Sequence, residues 1–305
     1  MQGILIVDKP MEWTSFDVIA KLRGILGTRK LGHSGTLDPM ATGVLPVFCG
    51  GASKAVDLQL DHTKTYCARL RLGMQTDTGD ITGTVLETAP VTAGEKELLA
   101  VLPRFLGPQM QTPPMYSAVK INGQPLYKLS REGKETPLKI KTIEISRAEV
   151  LRVELPYVTF RIICSSGTYI RSLAHSLGTR LGCGAVLTEL IREYSHPFGL
   201  DRACPLDTLL AEPETLPERV IPVTAALPHW PTITVTGQEE ADTKNGKILV
   251  WTEARRARSR AQDGTDIPCV PGANAVLLSP DGQPLALAEA VSGGPAWKVL
   301  RGLWN

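Results

Sequence analysis

The residues best placed to do chemistry lie together in Leu31-Gly32-His33-Ser34-Gly35-Thr36-Leu37-Asp38-Pro39-Met40-Ala41-Thr42-Gly43-Val44-Leu45-Pro46-Val47. Its glycines permit tight backbone and Asp38-Pro39 signals a turn, so a carboxylate is presented on a loop that leads into an apolar strand. The same aspartate could simply close an Asx-turn or cap a helix, and spacing alone names no reaction. A second group lies between Gly107 and Glu135, where Pro108, Pro113, Pro114, Asn122-Gly123 and Pro125 are interleaved with Tyr116, Lys120, Tyr127, Lys128 and Arg131. Aromatic rings mixed with cations suit a single-stranded nucleic acid, through stacking and phosphate pairing, and suit a plain surface excursion equally. Elsewhere, a lone strand tyrosine such as Tyr66 reads as core. A helical cation after a glycine, such as Arg171, reads as a surface or phosphate contact, and a loop histidine such as His33 as surface.

The elements that must position these groups follow from periodicity. Gly3 to Val7 reads as a strand, and Thr14 or Ser15 then caps a helix whose apolar residues Val18, Ile19, Leu22, Ile25 and Leu26 recur at helical spacing before Gly27. Further strands are expected at Val44 to Phe48, Thr65 to Leu72, Thr82 to Glu87, Ile140 to Leu151 and Tyr157 to Cys164, with helices near Glu95 to Leu106 and Thr168 to Leu181. Runs of strands broken by separate helices predict an α+β fold with a mixed sheet rather than a doubly wound one. The stretch through Pro213, Pro217, Pro222, Pro228 and Pro231 marks a boundary, after which β-branched residues return at Thr232 to Thr236. We therefore expect a large domain over residues 1–230, interrupted at about 107–135, and a small β-rich domain over residues 231–305.

Composition narrows the class without naming a function. With 305 residues, 43% hydrophobic and 21% charged, the chain can bury a substantial core and is neither disordered nor fibrous in composition. No apolar run approaches the roughly 20 residues of a membrane span, and the first residues lack a basic leader, so the cytoplasm is the expected location. Cys49, Cys67, Cys164, Cys183, Cys204 and Cys269 are scattered without a C-x-x-C pair, which predicts free thiols and no structural metal. The net charge of +2 does not announce a polyanion partner, but basic residues cluster at Lys21 to Lys30, at Lys128 to Lys141 and at Arg255, Arg256, Arg258 and Arg260.

The segment around Asp38 closely resembles the catalytic motif of the TruB family of tRNA pseudouridine synthases, Gly-His-x-Gly-x-Leu-Asp-Pro-x-Ala-Thr-Gly-Val-Leu-Pro-Val. The likeness continues through Asp8-Lys9-Pro10 with Thr14-Ser15, Lys64-Thr65-Tyr66 with Leu72-Gly73 and Thr76-Asp77-Thr78, Pro113-Pro114-Met115-Tyr116-Ser117-Ala118-Val119-Lys120, and Ser166-Gly167-Thr168-Tyr169-Ile170-Arg171-Ser172-Leu173-Ala174 with Leu190. These motifs cover roughly residues 3 to 200 in one order. The chain departs from the pattern at Glu12, where a glycine is common, and at Ser34, where threonine is common. It departs again at Ser176 in place of an aspartate, Ile191 in place of the first of two arginines, and His196 in place of a glycine.

The resemblance implies a mixed-sheet pseudouridine synthase domain with an inserted RNA-binding loop and a C-terminal PUA-like RNA-binding domain. It implies isomerisation of uridine 55 in the T loop of tRNA by base flipping, without metal, cofactor, membrane or obligatory protein partner, by a monomer. In that reading Asp38 is the catalytic carboxylate, Arg171 its charge partner, and Tyr66 the residue that stacks on the base and accepts its C5 proton. His33 intrudes among the T-loop bases, Leu190 lines the pocket, and Lys64, Tyr169, Lys120, Tyr127 and Arg131 bind substrate. Two alternatives remain: a dyskerin-like subunit of a guide-RNA particle, and a non-catalytic protein that opens and refolds the T loop.

Overall fold

The structure is a computed structural model that describes residues 1–58, 61–114, 120–121, 124–125, 140–260 and 266–304. The chain runs through β1 (Gly3–Lys9), α1 (Ser15–Leu26), β2 (Leu31–His33), β3 (Ala41–Cys49), β4 (Lys64–Leu72), the hairpin of β5 (Met74–Thr76) and β6 (Val85–Thr88), and α2 (Glu95–Val101). It continues through β7 (Gly107–Gln111), the paired β8 (Lys120–Ile121) and β9 (Gln124–Pro125), β10 (Lys141–Glu154), β11 (Tyr157–Cys164), α3 (Ile170–Arg180), β12 (Ala185–Ser195), β13 (Phe198–Gly199) and β14 (Cys204–Pro205). The strand order is β14-β1-β3-β12-β4-β11-β10-β7, with β2 beside β3 and β13 beside β12. β3 and β12 are parallel, as are β1 and β14, and the other neighbours are antiparallel, so the sheet is mixed as expected.

The apolar runs of β1 and β3 are continuous rather than alternating because both faces are covered. Leu5, Val7, Leu45 and Val47 join Val18, Ile19 and Leu22 of α1 in one core, whereas Ile4, Ile6, Val44 and Phe48 face a second core containing Val276, Leu287 and Leu303. Each fully buried Leu, Ile or Val contributes roughly 1.5–3 kcal/mol, so the two layers tie the C-terminal region to the back of the main sheet. That region is a second sheet, ordered β16 (Leu249–Val250), β20 (Ala296–Gly302), β19 (Pro284–Ala290), β18 (Asn274–Leu278), β15 (Thr232–Thr234) and β17 (Ser259–Arg260). Its first strand begins at Thr232, where the sequence shows β-branched residues returning.

Several boundaries move for identifiable reasons. Thr14, not Ser15, caps α1, in a capping box with Asp17. Pro103 has no N–H to continue a helix, so α2 stops at Val101 and a 3₁₀ turn covers Leu102–Phe105. The strand expected over Thr82 to Glu87 is only Val85–Thr88, because Asp77 and Asp80 bind the backbone of Thr84 and Thr82 in a turn instead. The interruption expected from Gly107 opens as β7, which pairs with β10. Tyr116, Tyr127, Lys128 and Arg131 lie outside the described residues, and Lys120 stands in β8.

Parallel pairing of β3 and β12 depends on Gly43. A Cβ there would sit 2.3 Å from the carbonyl oxygen of Arg192, and the φ of +99° is one that side chains rarely adopt. Gly43→Ala should therefore cost at least about 1–3 kcal/mol in backbone strain alone, read as a lowered melting temperature. An unchanged melting temperature would mean that the two strands part without loss.

Candidate active site

Asp38 sits in the turn before β3, and its loop is fastened from several sides. The Ser15 hydroxyl accepts from Leu37 N at 2.9 Å, Ala41 N donates to Asp38 O at 3.0 Å, and Lys9 Nζ donates to the carbonyls of Pro10, Trp13 and Pro39 at 2.8, 2.6 and 3.3 Å. Burial lowers the Lys9 pKa to about 8. Glu12 N reaches Pro39 O at 2.8 Å with φ of 68°, the left-handed region that explains why glycine would be at ease at this position.

The Asp38 carboxylate meets Arg171, in the first turn of α3, at 2.9 Å. A third of the Asp38 side chain (35%) opens to solvent in a cavity, whereas Arg171 is 5% exposed. The guanidinium spreads over two carboxylates: Nη1 lies 3.6 Å from Asp80 and donates to Thr78 O at 3.1 Å. Asp80 is fixed in turn by Thr78 Oγ1, Thr82 Oγ1 and Thr82 N at 2.9, 2.6 and 3.0 Å. Desolvation raises the Asp38 pKa above the ordinary carboxylate value; Arg171 pulls against it and the Asp80 charge adds to it.

The cavity measures about 470 Å³ and brings together Asp38, Lys64, Tyr66, Tyr169, Arg171 and Leu190. Tyr66 and Lys64 project from one face of β4, two residues apart. Leu190 comes from β12, beside Ala41 of β3. Tyr169 caps α3 and is pinned to β7, its N and O paired with the Gln111 amide at 2.7 and 3.0 Å. His33 stands on β2, next to the wall rather than in it, and burial lowers its pKa. Burial likewise raises the Tyr66 pKa, so the side chain is a neutral phenol at neutral pH.

Residues 23–170 match the family model of the TruB family pseudouridylate synthase (N terminal domain). The tRNA pseudouridine synthase B of Nitratidesulfovibrio vulgaris, strain Miyazaki F, is 53% identical, covering 99% of this chain and 97% of its own. The chain belongs to the TruB family. The tRNA pseudouridine synthase B of Geobacter sulfurreducens is 42% identical over 96% of this chain and 95% of its own. Among solved structures, a Cbf5-Nop10-Gar1 complex matches 99% of this chain and 84% of that one, with a TM-score of 0.70 and 26% identity.

Three residues of this TruB-family site had no role assigned from sequence: Lys9, Asp80 and Arg192. Arg192 is fully buried and lies in register opposite Tyr66. Its Nε donates to Val44 O at 2.7 Å and its Nη2 to Gly35 O at 3.0 Å. Ile191, which replaces the neighbouring arginine of the family pattern, is exposed, so that departure leaves the buried cation untouched. Ser176 stands half-buried on α3, and His196 lies 3.3 Å from Asp61. Among the described residues no cluster of three or more His, Cys, Asp or Glu side chains could hold a metal ion, and no helix is long and apolar enough to cross a membrane. The six cysteines are unpaired.

Proposed function

We propose that this protein isomerises uridine to pseudouridine at position 55 in the T loop of tRNA, in the cytoplasm and as a monomer, with Asp38 as the catalytic carboxylate. The observation that carries this reading is Asp38 held at 2.9 Å by Arg171 in a cavity shared with Tyr66 and Leu190, in a chain of the TruB family. The relatives' name, tRNA pseudouridine synthase B, supports tRNA as the substrate.

The reaction breaks the C1′–N1 bond, turns the uracil and forms C1′–C5. Asp38 serves as nucleophile at C1′ or as acceptor of a ribose proton, and either role needs its anion. Arg171 keeps part of that anion available against desolvation. The cavity is concave and part apolar, so the base must be flipped out of the folded loop, at a cost of a few kcal/mol that His33, Tyr169 and Leu190 help offset. Tyr66 stacks on the ring and takes the C5 proton. As a neutral phenol it must first release its own, which the neighbouring Arg192 charge favours. The C-terminal sheet, as a PUA-like domain over residues 231–305, and the segment containing Lys120, Tyr127 and Arg131 supply further RNA contacts.

The test uses purified protein and an unmodified tRNA transcript carrying tritium at uracil C5. Tritium should pass to water, and an adduct specific to pseudouridine should map to position 55. A transcript with cytidine at 55 should release none. Release from a different uridine would overturn the position, and no release from any tRNA would overturn the substrate.

A further inference from the structure

Two cations beside Gly35 on the cavity wall form no salt bridge among the described residues. Arg171 is matched by Asp38 and Asp80, but Lys64 and Arg192 are not. Lys64 is 7% exposed, and among the described residues its ammonium makes one hydrogen bond, to His62 O at 3.2 Å. The groups that face it are Arg192, Asp61, Cys164 and His62, the last through both its backbone carbonyl and its imidazole. Asp61 is half-exposed and pairs with His196 at 3.3 Å, while burial pushes the Cys164 thiol up to about 11 and keeps it neutral. Arg192 is fully buried, and its Nη1 has no hydrogen-bond partner among the described residues.

The two cations converge on one spot of the wall. A Cβ at Gly35, which lines the cavity, would lie 3.1 Å from Arg192 Nη1 and 3.1 Å from Lys64 Cε. Burying two unpaired positive charges side by side is costly in the resting protein. Such a cost persists where an anion forms during the reaction, and preorganised charge then acts without rearrangement.

The reaction forms one. When C1′–N1 breaks, the bonding pair stays on N1 and spreads to the two carbonyl oxygens of uracil. C1′ is satisfied by an Asp38 oxygen or by a C1′–C2′ double bond. When C5 bonds to C1′, Asp38 regains its earlier state, the C5 proton leaves and N1 gains a proton. Between these events the ring is an anion held by no covalent bond. We infer that Lys64, backed by Arg192 at Gly35, binds this detached uracil anion and stabilises it in the cavity, rather than contacting a tRNA phosphate. This rests on the proposed roles of Asp38 and Tyr66.

The experiment is single-turnover tritium release with enzyme saturating, on wild type, Lys64→Met and Lys64→Arg. Lys64→Met should slow the bound reaction by about 100-fold or more while tRNA affinity changes by less than about threefold. Lys64 is buried with its pKa lowered to about 8, so in wild type the bound rate should fall as pH rises past that value. Lys64→Arg keeps its charge, so its rate should hold there. A Lys64→Met protein that reaches the wild-type rate at saturation, with only its affinity and salt slope reduced, would make Lys64 a phosphate contact and overturn the inference. A Lys64→Arg basic limb identical to wild type would overturn it also, and that comparison stands even if Lys64→Met does not fold. Wild type that forms no pseudouridine on tRNA fails at the earlier step, the proposed reaction itself.

Discussion

Replacing Asp38 with asparagine should abolish pseudouridine formation, a loss on the order of 10⁴-fold or more in the bound reaction, while tRNA affinity stays nearly unchanged. The amide keeps the shape and can still accept from Arg171 Nη2, now 2.9 Å away, but it has no anionic oxygen to attack C1′ and no basicity to take a ribose proton. The RNA contacts proposed above lie outside this turn, so their loss is not expected. Stability gives a second, independent readout. The folded-state pKa of Asp38 is raised from 3.8, so the folded protein holds its proton more tightly than the unfolded chain does. Stability tied to that proton is present at low pH and is lost as pH rises from the ordinary value through the raised one. Asp38→Asn should therefore lose that pH dependence. Substantial turnover in the variant would make Asp38 a turn-forming residue; lost binding with an intact fold would make it a recognition residue.

The ordinary rules of strand and helix patterning made much of this architecture legible, and the places where they failed share a cause. α1 carries its own cap, its apolar stripe and Gly27, so local sequence suffices to define it. β12 does not read as a strand, although it is central, because Glu189, Arg192 and Glu193 break its apolar run. Their partners lie on other strands: Arg69 meets Glu189 at 2.8 Å and Arg161 meets Glu193 at 2.8 Å once the sheet is assembled. Arg192 is hidden for the same reason, since an arginine is expected outside. Its acceptors, Val44 O and Gly35 O, are far away in the chain. Asp38 was visible only through a long motif, because a turn aspartate and a catalytic one have the same local signature. What sets Asp38 apart from a plain turn aspartate is its ion pair with Arg171, delivered by a helix that starts more than a hundred residues later.

Arg171 gives the second large effect, with an order of damage set by its geometry. One guanidinium nitrogen serves Asp38 and another serves Asp80 and Thr78, so a planar fork is needed to hold two carboxylates at once. Arg171→Lys keeps the charge but can reach only one of them well, and should slow the bound reaction by roughly 10- to 100-fold. Arg171→Met removes the charge and should cost about 10³-fold or more. It also leaves Asp80 buried without its counter-ion, a destabilisation of about 3–5 kcal/mol, which Asp80→Asn in the same protein should relieve. The pH profile separates electrostatics from folding. Arg171 is the strongest influence holding the Asp38 pKa down, so removing it raises that pKa further. The role proposed for Asp38 needs its anion, so the rate should fall as pH drops through that pKa. The acid limb should therefore move to higher pH in Arg171→Met and in the Arg171→Met/Asp80→Asn double variant, and move less in Arg171→Lys. A double variant that folds like wild type and shows an unshifted acid limb would mean that Arg171 positions RNA or closes the cavity, and that the Asp38 anion is maintained by Lys9 and the surrounding cations instead.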